Sequence, residues 1–301
     1  MLEYRHRDGQ PHPVAARVAR NMLNLSEKEL SSVVSSALSF LRLYRDPVVA
    51  ANTSQSGFRI RDLMHHEHPV SLYLVVRPAD AERLRPLIRL MLTQTVRRLT
   101  ETMRFEDGRS VADYRHRLLL LPDEFASLKR LTVIEEALAF MAGYGIKAYL
   151  IVQDLQQIYS AYGREEGLIG NCHIRIAYAP NKIETAELLS RMAGQTTVVR
   201  KQTTISGLRP GGGSRGQRSE SMQEVQRPLI TPDEVMRLPG ARKDAHGKIL
   251  EPGHLLVFVA GQAPVYGRQI LYFRDPAFGP RARIEAPETS CLLYTSDAAD
   301  E

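Results

Sequence analysis

The sequence lacks several features that make a function easy to assign. It has no tryptophan and only two cysteines in 301 residues, Cys172 and Cys291. That scarcity excludes a disulfide framework and a cysteine-built zinc site. No apolar run reaches the ~20 residues needed to cross a bilayer, and no signal peptide opens the sequence, so the segment itself reads as a soluble polypeptide. A Gly-x-x-x-x-Gly-Lys-[Ser/Thr] phosphate cradle is also absent. The nearest run is Gly211-Gly212-Gly213-Ser214-Arg215-Gly216-Gln217-Arg218, in which Gln217-Arg218 replaces Lys-[Ser/Thr]. It reads as part of a basic hairpin or nucleic-acid-facing loop, and residues 207–221 as a flexible surface connection. His65-His66-Glu67-His68 lies in a polar connection with no partner motif and reads as solvated loop rather than a metal-ligand set.

What is present is a basic, globular composition. The hydrophobic share is 43%, the charged share 25% and the formal net charge +6, with a pI near 9.4. These values allow a sizeable core and an anionic partner such as nucleic acid, or simply a basic surface. The last eleven residues, Cys291-Leu292-Leu293-Tyr294-Thr295-Ser296-Asp297-Ala298-Ala299-Asp300-Glu301, resemble the in-frame translation of a transposase-based sequencing adaptor and are set aside from fold reasoning. On that reading Cys172 is the only native cysteine, and the chain ends with the sequencing read rather than a stop codon.

Periodicity predicts helix over residues 14–44, with a Ser26/Glu29 capping box, and a stop or restart at Asp46-Pro47. Strands are expected at 70–76, 118–121, 148–152 and 174–178, with a further pair at 255–260 and 269–273. Helices are expected from Pro86 to Met103, then over 131–143, 154–162 and 182–193, the last ended by Gly194. Thr231-Pro232-Asp233-Glu234 has the form of a helix start. Strands alternating with helices indicate an α/β fold with a mainly parallel sheet.

The chemistry concentrates where the apolar run Leu118-Leu119-Leu120-Leu121-Pro122 ends in Asp123 and Glu124. Open α/β sheets bind ligands at the carboxyl ends of their strands. In phosphoryl transfer a strand-end Asp helps hold Mg²⁺, and a second acid can activate the attacking water. Gln153 ends the next predicted strand at the same sheet edge, where an amide can orient the water or contact a γ-phosphate. Each position singly also fits a helix cap or a solvated turn. Together they favour nucleotide hydrolysis.

These residues, with the blocks around them, carry a family resemblance. Residues 118–128 and 135–147, Gln153-Asp154-Leu155-Gln156-Gln157 and Asn171-Cys172-His173 occur in the order and spacing of the TraG family of type IV coupling proteins, the conjugative DNA-transfer ATPases. So do residues 180–187, Gln226-Arg227-Pro228-Leu229 and Tyr266-Gly267-Arg268-Gln269. The resemblance implies a RecA-like P-loop NTPase core, with residues 1–56 part of an all-α insert domain and 57–290 the C-terminal portion of the motor domain. It implies ATP and Mg²⁺ as cofactors, with Asp123 and Glu124 as the Walker B acids and Gln153 as the glutamine that follows them. Asp123 would hold Mg²⁺, Glu124 would activate water, and Gln153 would sense the γ-phosphate.

The implied partners are single-stranded DNA, a relaxase, the components of a type IV secretion channel, and further copies in a homo-hexamer. The implied location is the cytoplasmic face of the bacterial inner membrane, with the anchor and Walker A motif upstream of Met1. Lacking the phosphate-loop lysine, these 301 residues alone are expected to be inactive. The alternative is a non-catalytic DNA- or partner-docking fragment of a degenerate gene. Arg200, Lys201, Arg209, Arg215 and Arg218 are candidate phosphate contacts or a solvated basic loop, and no arginine finger is assigned. The chain departs from the family at Pro122, where an aliphatic residue is expected, and at Ala126 and Lys129, where Pro and Gly are common.

Overall fold

A computed structural model describes residues 12–106, 109–206 and 217–285. The chain divides at Gln94–Thr95 into two compact units. The first is helical in its described part: α1 (Pro13–Leu23), α2 (Glu27–Leu41), α3 (Pro47–Thr53), α4 (Asp62–His65) and the beginning of α5 (Ala81–Leu99). The expected capping box forms at α2, where the Glu29 amide donates to Ser26 Oγ and the Ser26 amide donates to Glu29 Oε2. Asp46 caps α3, accepting from the amides of Val48 and Val49. Ala16, Ala19, Val49, Leu63 and Met64 are buried, whereas α2 buries nothing and leaves Val33, Val34 and Leu38 exposed. Pro86 lies inside α5 rather than at its start, because Pro78–Asp80 forms a 3₁₀ turn that launches the helix earlier than expected.

The expected strand at 70–76 is not formed. These residues have no ladder partner among the described residues, and Tyr73 and Val75 are 81% and 87% exposed. β-branched composition favours extension, but a strand exists only where a second one accepts its hydrogen bonds.

The second unit holds the sheets. A small hairpin, β1 (Arg104–Glu106) with β2 (Arg109–Val111), precedes β3 (Leu118–Leu120). After α6 (Thr132–Ala137) and a 3₁₀ turn at Met141–Tyr144, β4 (Ile146–Ala148) returns parallel to β3, pairing Leu118 with Ile146 and Leu120 with Ala148. The expected helix at 131–143 is thus split. Next come α7 (Leu155–Tyr162), α8 (Leu168–Asn171), β5 (Ile174–Ala177) and α9 (Ile183–Ala193), which ends at Gly194 with φ +86°.

A long antiparallel hairpin follows, β6 (Gln195–Ser206) with β7 (Gln217–Pro228). The loop expected at 207–221 is therefore corrected at its C-terminal part, since Gln217 to Ser221 pair with β6. Residues 207–216, with most of the glycine-rich run, Arg209 and Arg215, lie outside the described residues, as does the adaptor-like segment.

The chain continues through α10 (Pro232–Met236), β8 (Arg242–Lys243), β9 (Ile249–Glu251), β10 (His254–Val259), β11 (Val265–Arg268) and α11 (Phe278–Arg281). Thr231 and Glu234 form the capping box of α10. The second strand of the last pair is β11 rather than 269–273. The expectation of a mainly parallel sheet is also corrected. Among the described residues β3–β4 is the one parallel pair, and β5 lies antiparallel to β10. Helix–strand alternation does not fix which strand pairs with which, and β5 joins β10, about eighty residues later in the chain, running antiparallel to it. One core binds α9 and α10 to this sheet through Ala186, Leu189, Val235, Leu256 and Phe258.

Candidate active site

The strand-end acids lie on a turn that the β3–β4 ladder delivers. Cross-strand bonding continues beyond the regular strands, from the Tyr149 amide to the Leu120 carbonyl at 2.9 Å and from the Ile151 amide to the Pro122 carbonyl at 3.4 Å. Pro122 therefore stands past the end of β3 and still serves as an acceptor. The chain then reverses. Glu124 adopts the left-handed conformation (φ 57°, ψ 53°), a 3₁₀ turn spans Phe125–Leu128, and Lys129 follows at φ 58°, ψ −170°. The Phe125 amide donates to the Ile151 carbonyl at 2.8 Å, fixing the turn to the neighbouring strand.

That arrangement brings Glu124 and Gln153 together. Gln153 Nε2 donates to Glu124 Oε2 at 2.5 Å. Glu124 Oε1 is buried with no hydrogen-bond partner, a costly state for a carboxylate oxygen. Asp123 is exposed on the same turn, outside the Glu124–Gln153 contact. The Glu124 carboxylate, with one oxygen unsatisfied, and the exposed Asp123 carboxylate are hard oxygen donors of the kind that suit Mg²⁺ or an activated water.

Asp154 secures the amide from behind. It caps α7 by accepting from the Gln156 amide at 3.0 Å, and Lys182 Nζ lies 3.0 Å from its other oxygen. The amide bond and then the Lys182 cation hold the Asp154 carboxyl below the usual range. The Gln153 amide in turn donates to Gln157 Oε1 at 3.3 Å.

Sequence reasoning did not find Tyr162, whose ring stacks on the fully buried Phe125 with centroids 5.8 Å apart and planes at 18°. Nothing in an aromatic at a helix end signals such a role. Lys129 did carry a signal, since the family resemblance expects Gly there. The backbone at 129 lies in a region that glycine adopts freely and other residues only under strain.

Elsewhere, Lys201 pairs with Glu220 at 2.5 Å across the β6–β7 hairpin, and Arg200 is exposed opposite Gln223. Arg218 falls on β7. Among the described residues no group of three or more His, Cys, Asp or Glu is placed to hold a metal ion, and no described helix is long and apolar enough to cross a membrane. Cys172 is half-buried, and burial pushes its thiol up, away from the reactive thiolate.

A protein family described as "Type IV secretory system Conjugative DNA transfer" matches residues 1–292. The conjugal transfer protein TraG of Escherichia coli is 53% identical over all of this chain, which covers 47% of that relative. Protein VirD4 of Agrobacterium fabrum is 28% identical over 87% of the chain and 36% of its own length. The chain thus spans about half or less of the curated relatives it matches. Among solved structures, the bacterial conjugative coupling protein TrwB superposes over 89% of this chain and 58% of its own, with a TM-score of 0.60 and 19% identity. TrwB has also been crystallised with ADP and Mg²⁺ and with a non-hydrolysable ATP analogue. At about 20% identity the likeness to TrwB is one of fold.

Proposed function

Because the chain belongs to the type IV secretory conjugative DNA-transfer family, we propose that it supplies the acid-and-sensor part of an ATP-driven coupling protein. The complete protein delivers relaxase-bound single-stranded DNA to a type IV secretion channel, working as a homo-hexamer at the cytoplasmic face of the inner membrane. The observation that carries this reading is the Glu124–Gln153 contact at the strand ends, with Glu124 Oε1 buried and unpartnered beside it.

In this reading Asp123 is the Walker B residue that holds Mg²⁺. Held there, Mg²⁺ would supply charge neutralisation for the phosphates. Glu124 accepts the proton of the attacking water, and Gln153 holds Glu124 in place until the γ-phosphate competes for its amide. DNA is held through its phosphates, so binding weakens with salt and is indifferent to sequence. Pro122 and the strained Lys129 favour a second reading, a non-catalytic DNA- or partner-docking module, since both depart from the family at the turn that bears the acids.

One replacement protein separates the two. The matched segment of Escherichia coli TraG is exchanged for this chain and ATP hydrolysis is measured. The motor reading expects turnover that falls by about 100-fold or more with Glu124→Gln, the scale of a lost general base. Absent turnover, or turnover indifferent to Glu124→Gln, sinks it in favour of docking. The 301 residues alone are expected to hydrolyse nothing.

A further inference from the structure

We infer that Tyr162 is a positioning residue: from the far end of α7 it clamps the turn bearing Glu124 in a backbone conformation that Lys129 resists. The turn is bounded by two non-glycine residues at positive φ, Glu124 and Lys129, the only such pair among the described residues. At φ 58°, ψ −170°, Lys129 is held in a region close to glycine-only. Strain of this kind persists where the surroundings over-determine it, and here those surroundings converge on one phenol. Tyr162 Oη accepts from the Leu131 amide at 3.0 Å and donates to the Lys129 carbonyl at 3.4 Å, so it grips the chain on both sides of Arg130. Its ring backs Phe125, which is 0% exposed and whose amide ties the turn to Ile151, two residues before Gln153.

Tyr162 closes the same helix that Asp154 opens. One short helix therefore fixes both members of the contact, the amide at its entry and the acid through the clamp at its exit. Tyr162 Oη bonds the main chain at Leu131 and Lys129, so its action runs through the backbone of the turn. The catalytic meaning of the clamp rests on the proposed role of Glu124. The clamp itself does not.

The test uses amide exchange in the full 301-residue chain. Tyr162→Phe keeps the ring and removes the phenol. Exchange of both the Leu131 and Phe125 amides is expected to rise by about tenfold, the scale of losing a local anchor, and the Gln153 side-chain amide signal is expected to shift. Adding Lys129→Gly makes the backbone intrinsically allowed, so it should restore Phe125 and Gln153 but not Leu131, whose acceptor is gone. A change confined to Leu131, or no rescue by Lys129→Gly, overturns the inference. Should Tyr162→Phe fail to fold, the double variant must fold, and a double variant that stays unfolded overturns it equally.

In the TraG replacement protein, Tyr162→Phe is expected to lower kcat about tenfold with KM unchanged, a loss of geometry rather than of binding. Hydrolysis indifferent to Glu124→Gln with the exchange pattern intact rejects the motor reading and leaves the clamp. Hydrolysis dependent on Glu124, with Phe125 exchange unmoved by Tyr162→Phe, rejects the clamp and leaves the motor.

Discussion

Residues 70–76 and 118–121 are written alike and end differently. Both are short apolar runs, and each leads towards a helix entered beside an aspartate: Asp80 before α5, and Asp154, reached through β4, before α7. Leu118 to Leu120 pair with β4, and their hydrogen bonding runs on to Pro122. The earlier run pairs with nothing described and exposes Tyr73 and Val75. Apolar patterning therefore supplies a candidate for a strand, while a partner decides whether the candidate becomes one. Only the paired run can present acids at a defined place.

The largest test breaks the paired member. Gly145, just before β4, has φ +79°, its carbonyl accepts from the Leu118 amide at 3.1 Å, and an added Cβ would meet the Tyr114 ring at 2.5 Å. Gly145→Ala combines about 1–2 kcal/mol for a left-handed L-residue with about 1–3 kcal/mol of overpacking. An unfolding free energy from urea denaturation that falls by less than a quarter of that sum would deny the pairing its dependence on this residue.

Next is the helix entry after β4. Asp154→Ala is expected to cost about 1 kcal/mol, as for other N-caps. The Asp154 carboxyl is held below its ordinary value of 3.8, so its contribution is fully present above that pH and is lost as pH falls through the lowered value. Asp154→Asn should flatten part of the loss of stability in acid below about pH 4; an acid limb identical to the parent's would contradict the assigned bonds.

A smaller change should strengthen the pair. In the parallel ladder residue 122 would donate to the Tyr149 carbonyl, and proline has no hydrogen to give. Pro122→Leu adds a bond of about 1 kcal/mol against about 0.5 kcal/mol of restored unfolded-chain entropy, so the melting temperature should rise slightly. An equal or lower value counts against the missing bond as a cost at this position. At the bottom of the scale, Val75→Ala in the unpaired run is expected to stay within about 0.5 kcal/mol of the parent. A loss of more than 1 kcal/mol would reveal packing that its 87% exposure denies.

What could be read in advance follows the same division between local and distant causes. Caps are local chemistry, so Ser26, Asp46, Thr231 and Gly194 were legible from a few neighbouring residues, and all four end or begin helices as expected. Strand partners are distant facts, so the antiparallel union of β5 with β10 and the solitude of 70–76 were not. That Glu124 and Gln153 reach one sheet edge was legible because strand ends at one edge are a topological consequence of alternation. That Glu124 meets Gln153 while Asp123 stands apart depends on a backbone reversal at φ 57°, which no spacing encodes. Tyr162 was invisible because its part is played by a hydroxyl facing main-chain atoms about thirty residues earlier.

The bond from Phe125 to Ile151 has a consequence for how relatives should be aligned. It references acid and amide to adjacent rungs of one ladder, so their separation in space is set by the pitch of the sheet. Their separation along the chain, 29 positions here, is set by whatever crosses between β3 and β4. Insertions or deletions in that crossover change the interval that a motif search counts and leave untouched the interval that chemistry uses. A search for this pair should float the gap and hold the two strand ends fixed.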